Sequence, residues 1–494
     1  MNFRSVAHSI ACLLALEGVL MALCGLGSRF LFGDPAPAWT ALCHSSAGLL
    51  AVSLLAVALT RRAPELTRRD GLGIVAFGWL LACLAGALPF YFSGTIPDPA
   101  AAFFESVSGL TTTGATVLAA PELAPRGILL WRAISQLLGG VGVLVLLLAI
   151  LPLAGAGGSQ VFRAEMPGPT KDRIAPRIAS TAKILWGVYL FFVVAVLFAL
   201  RFAGMTWFDA VCHSFCTVST GGFSTRGASI AAWASPAVEA VVAAGMFLGS
   251  CNFLLHWRFF RHGGFPYRHD TEFRAYVHFL LVLVVLVTAA VALGLGTGAP
   301  APAAASLSDL PRILRQTAFT VLSMASGSGF STANYALWPA AAKALLLVAM
   351  LVGGMGGSTT GALKVGRILA MGAAMSREVR LFLHPRAAIP VRYGRRVLPE
   401  SLLLSIVGFL FLYFFVLLVG ILLLVPFSSD IRTCVSSAVA CLTNVGPGFA
   451  GVGPASTYAG IAPAGHLILA ALMLLGRLEI YTILAVFLPS FWRK

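Results

Sequence analysis

The sequence predicts an all-α polytopic membrane protein: two N-terminal transmembrane helices followed by four pseudo-symmetric repeats. Three observations predict it. Of 494 residues, 59% are hydrophobic and only 11% are charged. Many apolar runs reach the ~20 residues a helix needs to cross a bilayer. Four small-polar stretches of one kind recur down the chain, and aligning them puts Gly114, Gly221, Gly329 and Gly446 in register, 107, 108 and 117 residues apart. A period of that length is far beyond solenoid repeats and fits a tandem membrane module.

The elements follow in order. Two apolar spans come first, at 8–32 and 39–60. Arg4 precedes the first, but that run exceeds a signal core of ~7–15 residues, so it reads as an uncleaved membrane helix. After an Arg-rich link at 61–70, four units begin. Each has a long span, a short apolar segment, a small-polar loop and a second long span. The long spans are 72–93 and 127–154, 184–204 and 236–260, 273–296 and 338–372, 401–426 and 462–489. That makes ten spans, an even number that puts both termini on one side. The units divide the chain into 1–70, 71–155, 156–262, 263–376 and 377–494.

The short segments lie near 98–111, 207–218, 309–326 and 430–443. Most are too short to cross, which suits re-entrant half-helices. Asp98, Asp209, Asp309 and Asp430 stand near their starts, where aspartate caps a helix and meets the positive end of its dipole. Each half-helix therefore points its negative end into the membrane.

A net charge of +16 would suggest nucleic acid in a soluble chain. Here the basic residues gather in alternate connections: Arg61, Arg62, Arg68 and Arg69; Arg163, Lys171, Arg173, Arg177 and Lys183; Arg258, Arg261, Arg268 and Arg274; Arg377, Arg380, Arg386, Arg392, Arg395 and Arg396. That alternation marks the cytoplasmic side and places both termini there. The same loops would meet anionic lipid or an acidic partner, and no nucleic acid is expected. The nine cysteines form no CxxC pair and read as small apolar side chains. No HExxH or GxSxG motif suggests an enzyme. Glu17 and His44 are polar groups inside the two leading spans and are candidates to pair with each other. His213 reads as a packed histidine rather than a ligand.

The four loops read SGLTTTGATV (108–117), CTVSTGGFST (216–225), SMASGSGFST (323–332) and CLTNVGPGFA (441–450). Irregular backbone at membrane depth is tolerated where it is buried in protein or lines an aqueous path. Glycine lets successive carbonyls face one point, and such oxygens can replace the hydration shell of a monovalent cation. Four quasi-equivalent loops predict a ring about an axis, with four half-helix C-termini adding favourable potential for a cation. A separate interruption falls in the span near 338–372, at Gly353, Gly354, Gly356, Gly357, Ser358, Thr359, Thr360 and Gly361, with Lys364 just beyond. Five glycines in nine residues break a helix, each costing close to 1 kcal/mol against alanine. An intramembrane loop below the ring is the expectation. Arg477, in the apolar run MLLGRLEI, is expected to face the pore beside that loop, the alternative being a charge that snorkels to the interface. Glu479, two residues on, should point elsewhere.

On these stretches the chain resembles the TrkH-type membrane subunit of the Trk/Ktr/HKT superfamily of cation transporters. The resemblance spans essentially the whole chain and includes SQLLGGVGVLVLLLAILP (135–152), VFRAEMPGPT (161–170), GSCNFLLHW (249–257), VGGMGGSTTGALKVGR (352–367), TNVGPG (443–448) and MLLGRLEIYTILAVFLPSFW (473–492). It implies a potassium uptake pore in a bacterial inner membrane, made of four M1–P–M2 units. By position the filter carbonyls would come from Thr112, Thr113 and Gly114; Ser219, Thr220 and Gly221; Gly327, Ser328 and Gly329; Asn444, Val445 and Gly446. Glycine at 114 goes with potassium in this family, whereas serine there goes with sodium. Ala325, Ser326, Gly327 and Ser328 replace a run of threonines found in many relatives, which leaves sodium or poorly selective monovalent transport as the alternative. A secondary transporter of organic solutes is a more distant one, since it would present inverted repeats. The resemblance also gives the glycine-rich segment a gating role. It implies a homodimer, K+ as transported ion with no organic cofactor, and a separate cytosolic nucleotide-binding subunit of the TrkA type. The basic stretches 155–183, 258–274 and 376–400 are candidate docking surfaces.

Overall fold

A computed structural model describes residues 2–60, 67–150, 174–296, 307–394, 396–428 and 430–492. Arg61, Arg62, Arg163, Lys171, Arg173 and Arg395, with the stretch 161–170, lie outside the described residues.

Two long helices lead, α1 (Phe3–Phe30) and α2 (Ala36–Leu59). They lie close because small residues face the contact. A Cβ on Gly18 would come 2.9 Å from Leu50 Cγ, and one on Gly25 would come 2.8 Å from Cys43 Sγ. Ser46 Oγ donates to the Gly18 carbonyl at 2.8 Å. Lipid offers no hydrophobic drive for helix association, so close packing and interhelical hydrogen bonds supply it. Asp34, in the connection, accepts from the backbone N–H groups of Arg126 (3.1 Å) and Gly127 (2.7 Å), and so caps the helix that starts there.

The four repeats follow. The first has α3 (Arg68–Phe92), half-helix α4 (Pro99–Leu110) and α5 (Arg126–Ile150). The second has α6 (Ile174–Phe202), α7 (Trp207–Val218), α8 (Pro236–Ser250) and α9 (Phe253–His262). The third has α10 (Thr271–Ala292), α11 (Leu310–Ser326), α12 (Ala340–Val352) and α13 (Val365–Leu383). A two-residue β-ladder, β1 (Arg392–Tyr393) with β2 (Arg396–Val397), leads into the fourth: α14 (Glu400–Leu424), α15 (Ile431–Leu442), α16 (Pro463–Arg477) and α17 (Ile480–Phe487). Among the described residues, six helices are long and apolar enough to cross a membrane alone, and two bent pairs bring the number to eight. The α5 helix and the α12–α13 pair occupy the remaining two predicted positions.

On α14 the outward face is Leu404, Phe411, Leu418 and Leu422, whereas Leu402, Ile406, Phe409 and Tyr413 are buried. The apolar residues that meet lipid are thus separated by helical spacing from those that meet protein.

Among the described residues three second helices break, where the sequence pointed to one. Helices α8 and α9 meet at 97° across Cys251 and Asn252, and α16 and α17 at 111° across Leu478 and Glu479. Asn252 Oδ1 caps α9 by accepting from Leu254 N at 2.9 Å, and Glu479 takes a positive φ of 55°. The half-helix starts also differ in detail. Asp98 caps α4 as expected, accepting from Ala101 N at 2.9 Å. In α7 the cap is Thr206, and Asp209 sits inside the first turn bonded to it. Asp309 pairs with Arg312 at 3.1 Å, and Asp430 makes no side-chain cap. Glu17 and His44 do not pair: His44 lies on the exposed side of α2, while Glu17 is buried beside Gly86 of α3. His213 is buried between the Asp209 carbonyl (2.8 Å) and Ser224 Oγ (3.0 Å), a packed histidine.

Candidate functional site: a ring of four turns above a glycine-rich loop

Each half-helix ends in a turn with the same hydrogen bonds. In the first turn, Thr113 N and Gly114 N both donate to the Ser108 carbonyl. Gly221 N and Gly222 N share the Cys216 carbonyl, Ser328 N and Gly329 N the Ser323 carbonyl, and Val445 N and Gly446 N the Ala440 carbonyl. Positive φ falls at two positions per turn: Thr112 (51°) and Gly114 (81°), Thr220 (56°) and Gly222 (75°), Gly327 (73°) and Gly329 (73°), Asn444 (56°) and Gly446 (91°).

These repeats correct the register of the second loop. The residue equivalent to Gly114, Gly329 and Gly446 is Gly222, not Gly221, and the structural triplet is Thr220, Gly221 and Gly222. Ser219 drops out one place earlier. Two adjacent glycines made the sequence alignment ambiguous, and the shared carbonyl decides it.

The turns meet in chain order and close on themselves. A Cβ on Gly114 would collide with the Gly221 carbonyl, one on Gly222 with the Ser328 carbonyl, one on Gly329 with the Val445 carbonyl, and one on Gly446 with the Thr113 carbonyl. Each turn therefore presses the carbonyl of its middle residue against the last glycine of the turn before it. The left-handed backbone and the missing Cβ are both required there.

Second-helix glycines let these helices touch the turns. Cβ atoms on Gly139, Gly249 and Gly476 would run into the carbonyls of Leu110, Val218 and Leu442. One residue past these three, and past Gly353 at the same place in the third repeat, stand Gly140, Ser250, Arg477 and Gly354, so Arg477 occupies a place that is small in the other three repeats.

The segment between α12 and α13 crosses beneath this ring. Its Ser358, Thr359 and Thr360 are fully buried. Thr359 Oγ1 donates to the carbonyls of Gly249 (3.0 Å) and Val218 (3.2 Å) and lies 3.2 Å from Thr220 Oγ1. A Cβ on Gly361 would lie 2.6 Å from the Thr443 carbonyl and 2.8 Å from Asn444 Oδ1. Both the second and fourth turns therefore rest on the segment. Its ends are fastened by Glu272 of α10, whose Oε1 accepts from Gly356 N (2.8 Å) and Gly366 N (2.9 Å). Lys364 donates to the Thr360 carbonyl.

Arg477 is 4% exposed and does not snorkel. Its Nη1 donates to the Thr359 carbonyl at 2.5 Å and its Nη2 to the Gly139 carbonyl at 3.1 Å. Among the described residues, Arg477 is thus held against the glycine-rich segment by carbonyl oxygens and by no carboxylate. Glu479 points away, to Arg367 at 2.7 Å.

Sequence reasoning missed several polar supports. Glu105 of α4 and Arg132 of α5 form a buried ion pair at 2.8 Å. Arg132 also donates to the Ser224 carbonyl (3.2 Å) and Thr116 Oγ1 (3.1 Å), and stacks 4.0 Å over Phe223, tying the first turn to the second. Tyr458 OH donates to the Gly446 carbonyl at 2.6 Å. Asn444 Nδ2 reaches Thr113 Oγ1 at 2.9 Å and the Met473 carbonyl at 3.0 Å. Glu105 and Arg132 sit inside apolar runs, and the rule that singled out Arg477 would have found them.

Comparison with known proteins agrees with this architecture. The family model for TrkH, described as a cation transport protein, matches residues 40–494. This chain belongs to the TrkH family. Among curated TrkH-family relatives, the Trk system potassium uptake protein TrkH of Salmonella typhimurium is 40% identical over 500 residues, covering all of both chains. The TrkH protein of Escherichia coli K12 is 39% identical over 502 residues, again end to end. Among solved structures, the crystal structure of the potassium transporter TrkH from Vibrio parahaemolyticus superposes with a TM-score of 0.88 at 35% identity, covering both chains fully. The all-α, four-repeat membrane fold read from the sequence is that of the TrkH family.

Proposed function

We propose that this chain takes up potassium across a bacterial inner membrane through the ring of four turns. The observation that carries the reading is the closed circuit of carbonyl-to-glycine contacts among turns 112–114, 220–222, 327–329 and 444–446. Backbone oxygens brought to one axis replace water around an alkali ion, and the C-termini of α4, α7, α11 and α15 supply negative potential there. Glycine in all four turns favours K+ over Na+ by the family's own pattern. Curated relatives aligned over the full length are named potassium uptake proteins. A membrane potential negative inside supplies about 2.3 kcal/mol per charge per 100 mV, enough to drive accumulation without chemical work.

In this reading the segment 353–361 is the gate. It lies under the ring, is pinned by Arg477 and Glu272, and leads through Lys364 into α13. That helix carries Arg377 and Arg380 together with an exposed apolar stripe of Met375, Val379, Phe382 and Leu383. Helical spacing puts the stripe on one side, where a second copy of the chain would cover it. The neighbouring arginines suit a cytosolic nucleotide-binding subunit of the TrkA type, and movement of α13 would pass directly to the gate. Both termini are then cytoplasmic.

Influx of ⁸⁶Rb⁺ and ²²Na⁺ into liposomes holding this chain alone tests the reading. Rubidium uptake that follows an imposed inside-negative potential, exceeds sodium uptake and is blocked by external K+ is the expected result. Equal uptake of the two ions would replace potassium with the poorly selective alternative. Solute-driven uptake without any cation flux would overturn the pore.

A further inference from the structure

At one register of the four second helices, three repeats place methionine and one places an amide. Gln136 of α5 stands where Met246 of α8, Met350 of α12 and Met473 of α16 stand, each three residues before Gly139, Gly249, Gly353 or Gly476. All four are fully buried. A buried carboxamide is costly unless its donors and acceptor are satisfied. Gln136 satisfies both ends on one turn: Nε2 donates to the Gly221 carbonyl at 2.7 Å, and Oε1 accepts from Phe223 N at 3.1 Å.

The turn it grips is the odd one of the four. Its middle residue is Gly221, where the others carry Thr113, Ser328 and Val445. Gly221 is not in the left-handed region, so backbone conformation does not demand glycine there. Room does, because a Cβ on Gly221 would fall inside the Gln136 amide. The neighbouring repeat thus fills, with a hydrogen-bonding group, the space that a side chain of the turn fills elsewhere.

We propose that Gln136 is a positioning residue for cation discrimination, holding the Gly221 carbonyl so that the second quarter of the ring cannot contract around a smaller ion. The inference rests on the filter reading above. An oxygen tethered by the Gln136 amide cannot follow Na+ inward, so sodium loses that ligand, while K+ or Rb+ reaches it where it stands.

The test is ⁸⁶Rb⁺ against ²²Na⁺ influx into liposomes holding the full chain. Gln136→Met, which copies the other three repeats, is expected to lower the Rb+/Na+ ratio about fivefold, chiefly by raising sodium influx, as loss of the one buried hydrogen bond that holds the Gly221 carbonyl would. Gly221→Ser alone forces the amide aside and is expected to lower the ratio as well. Gln136→Ala combined with Gly221→Ser fills the vacated room from the turn, as Ser328 does in the third quarter, and is expected to recover most of the ratio. An unchanged ratio in Gln136→Met overturns the proposal. So does a double variant no better than the worse of its two parents, a comparison that stands even if Gln136→Met does not fold. Gly222→Ala separates this from the filter reading. If it leaves the ratio intact, the ring is not the filter. If it abolishes the ratio while Gln136→Met does not, only the role of Gln136 fails.

Discussion

Replacing Arg477 with alanine is expected to raise ⁸⁶Rb⁺ influx at least about thirtyfold in liposomes. Two effects add. A unit positive charge ~8 Å from a passing cation, at an effective dielectric constant near 20, opposes it by about 2 kcal/mol, and that difference alone is roughly thirtyfold in rate. The substitution also removes both anchors on the Thr359 and Gly139 carbonyls, freeing the segment that lies beneath the ring. Arg477→Lys separates the two: it keeps the charge but loses the fork that reaches both carbonyls, and should fall between parent and alanine. Alanine influx equal to or below the parent would contradict the barrier.

The second large effect is expected at Gly446. Its φ of 91° is left-handed, and a Cβ there runs into the Thr113 carbonyl of the first turn. An L-residue in that region costs about 1–2 kcal/mol before any collision. The strain falls on the oxygen that closes the circuit between the fourth and first turns. Gly446→Ala should therefore lower ⁸⁶Rb⁺ influx at least about tenfold and erase discrimination against sodium. Gly48→Ala, on α2 with open space around it, serves as the control and should match the parent. An unaffected Gly446→Ala beside a parent-like Gly48→Ala would remove the ring from the conduction path.

Much of this fold was legible because lipid imposes strong rules on sequence. Four half-helices and most of the spans could be read, eight of the ten predicted spans passing the length and composition test among the described residues once bent pairs are counted as one. The glycine-rich break after α12 was legible for a similar reason: consecutive glycines cannot be mistaken for helix. The breaks after α8 and α16 were not, because each rests on two residues, Cys251–Asn252 and Leu478–Glu479, inside otherwise apolar runs. The register of the second turn was lost to the pair Gly221–Gly222, where pattern gives no preference and only the Cys216 carbonyl decides. Arg477 announced itself as a charge in an apolar run. Gln136 did not, because an uncharged amide interrupts such a run weakly, and its value comes from Gly221, which is 85 residues away in sequence.

The central claim is that the four turns bind a dehydrated alkali ion on their common axis. Anomalous scattering from crystals of the chain grown in Rb+ tests it most directly. The expected result is a peak enclosed by residues 112–114, 220–222, 327–329 and 444–446. Rubidium ordered elsewhere in the protein, with none between those turns, would contradict the account.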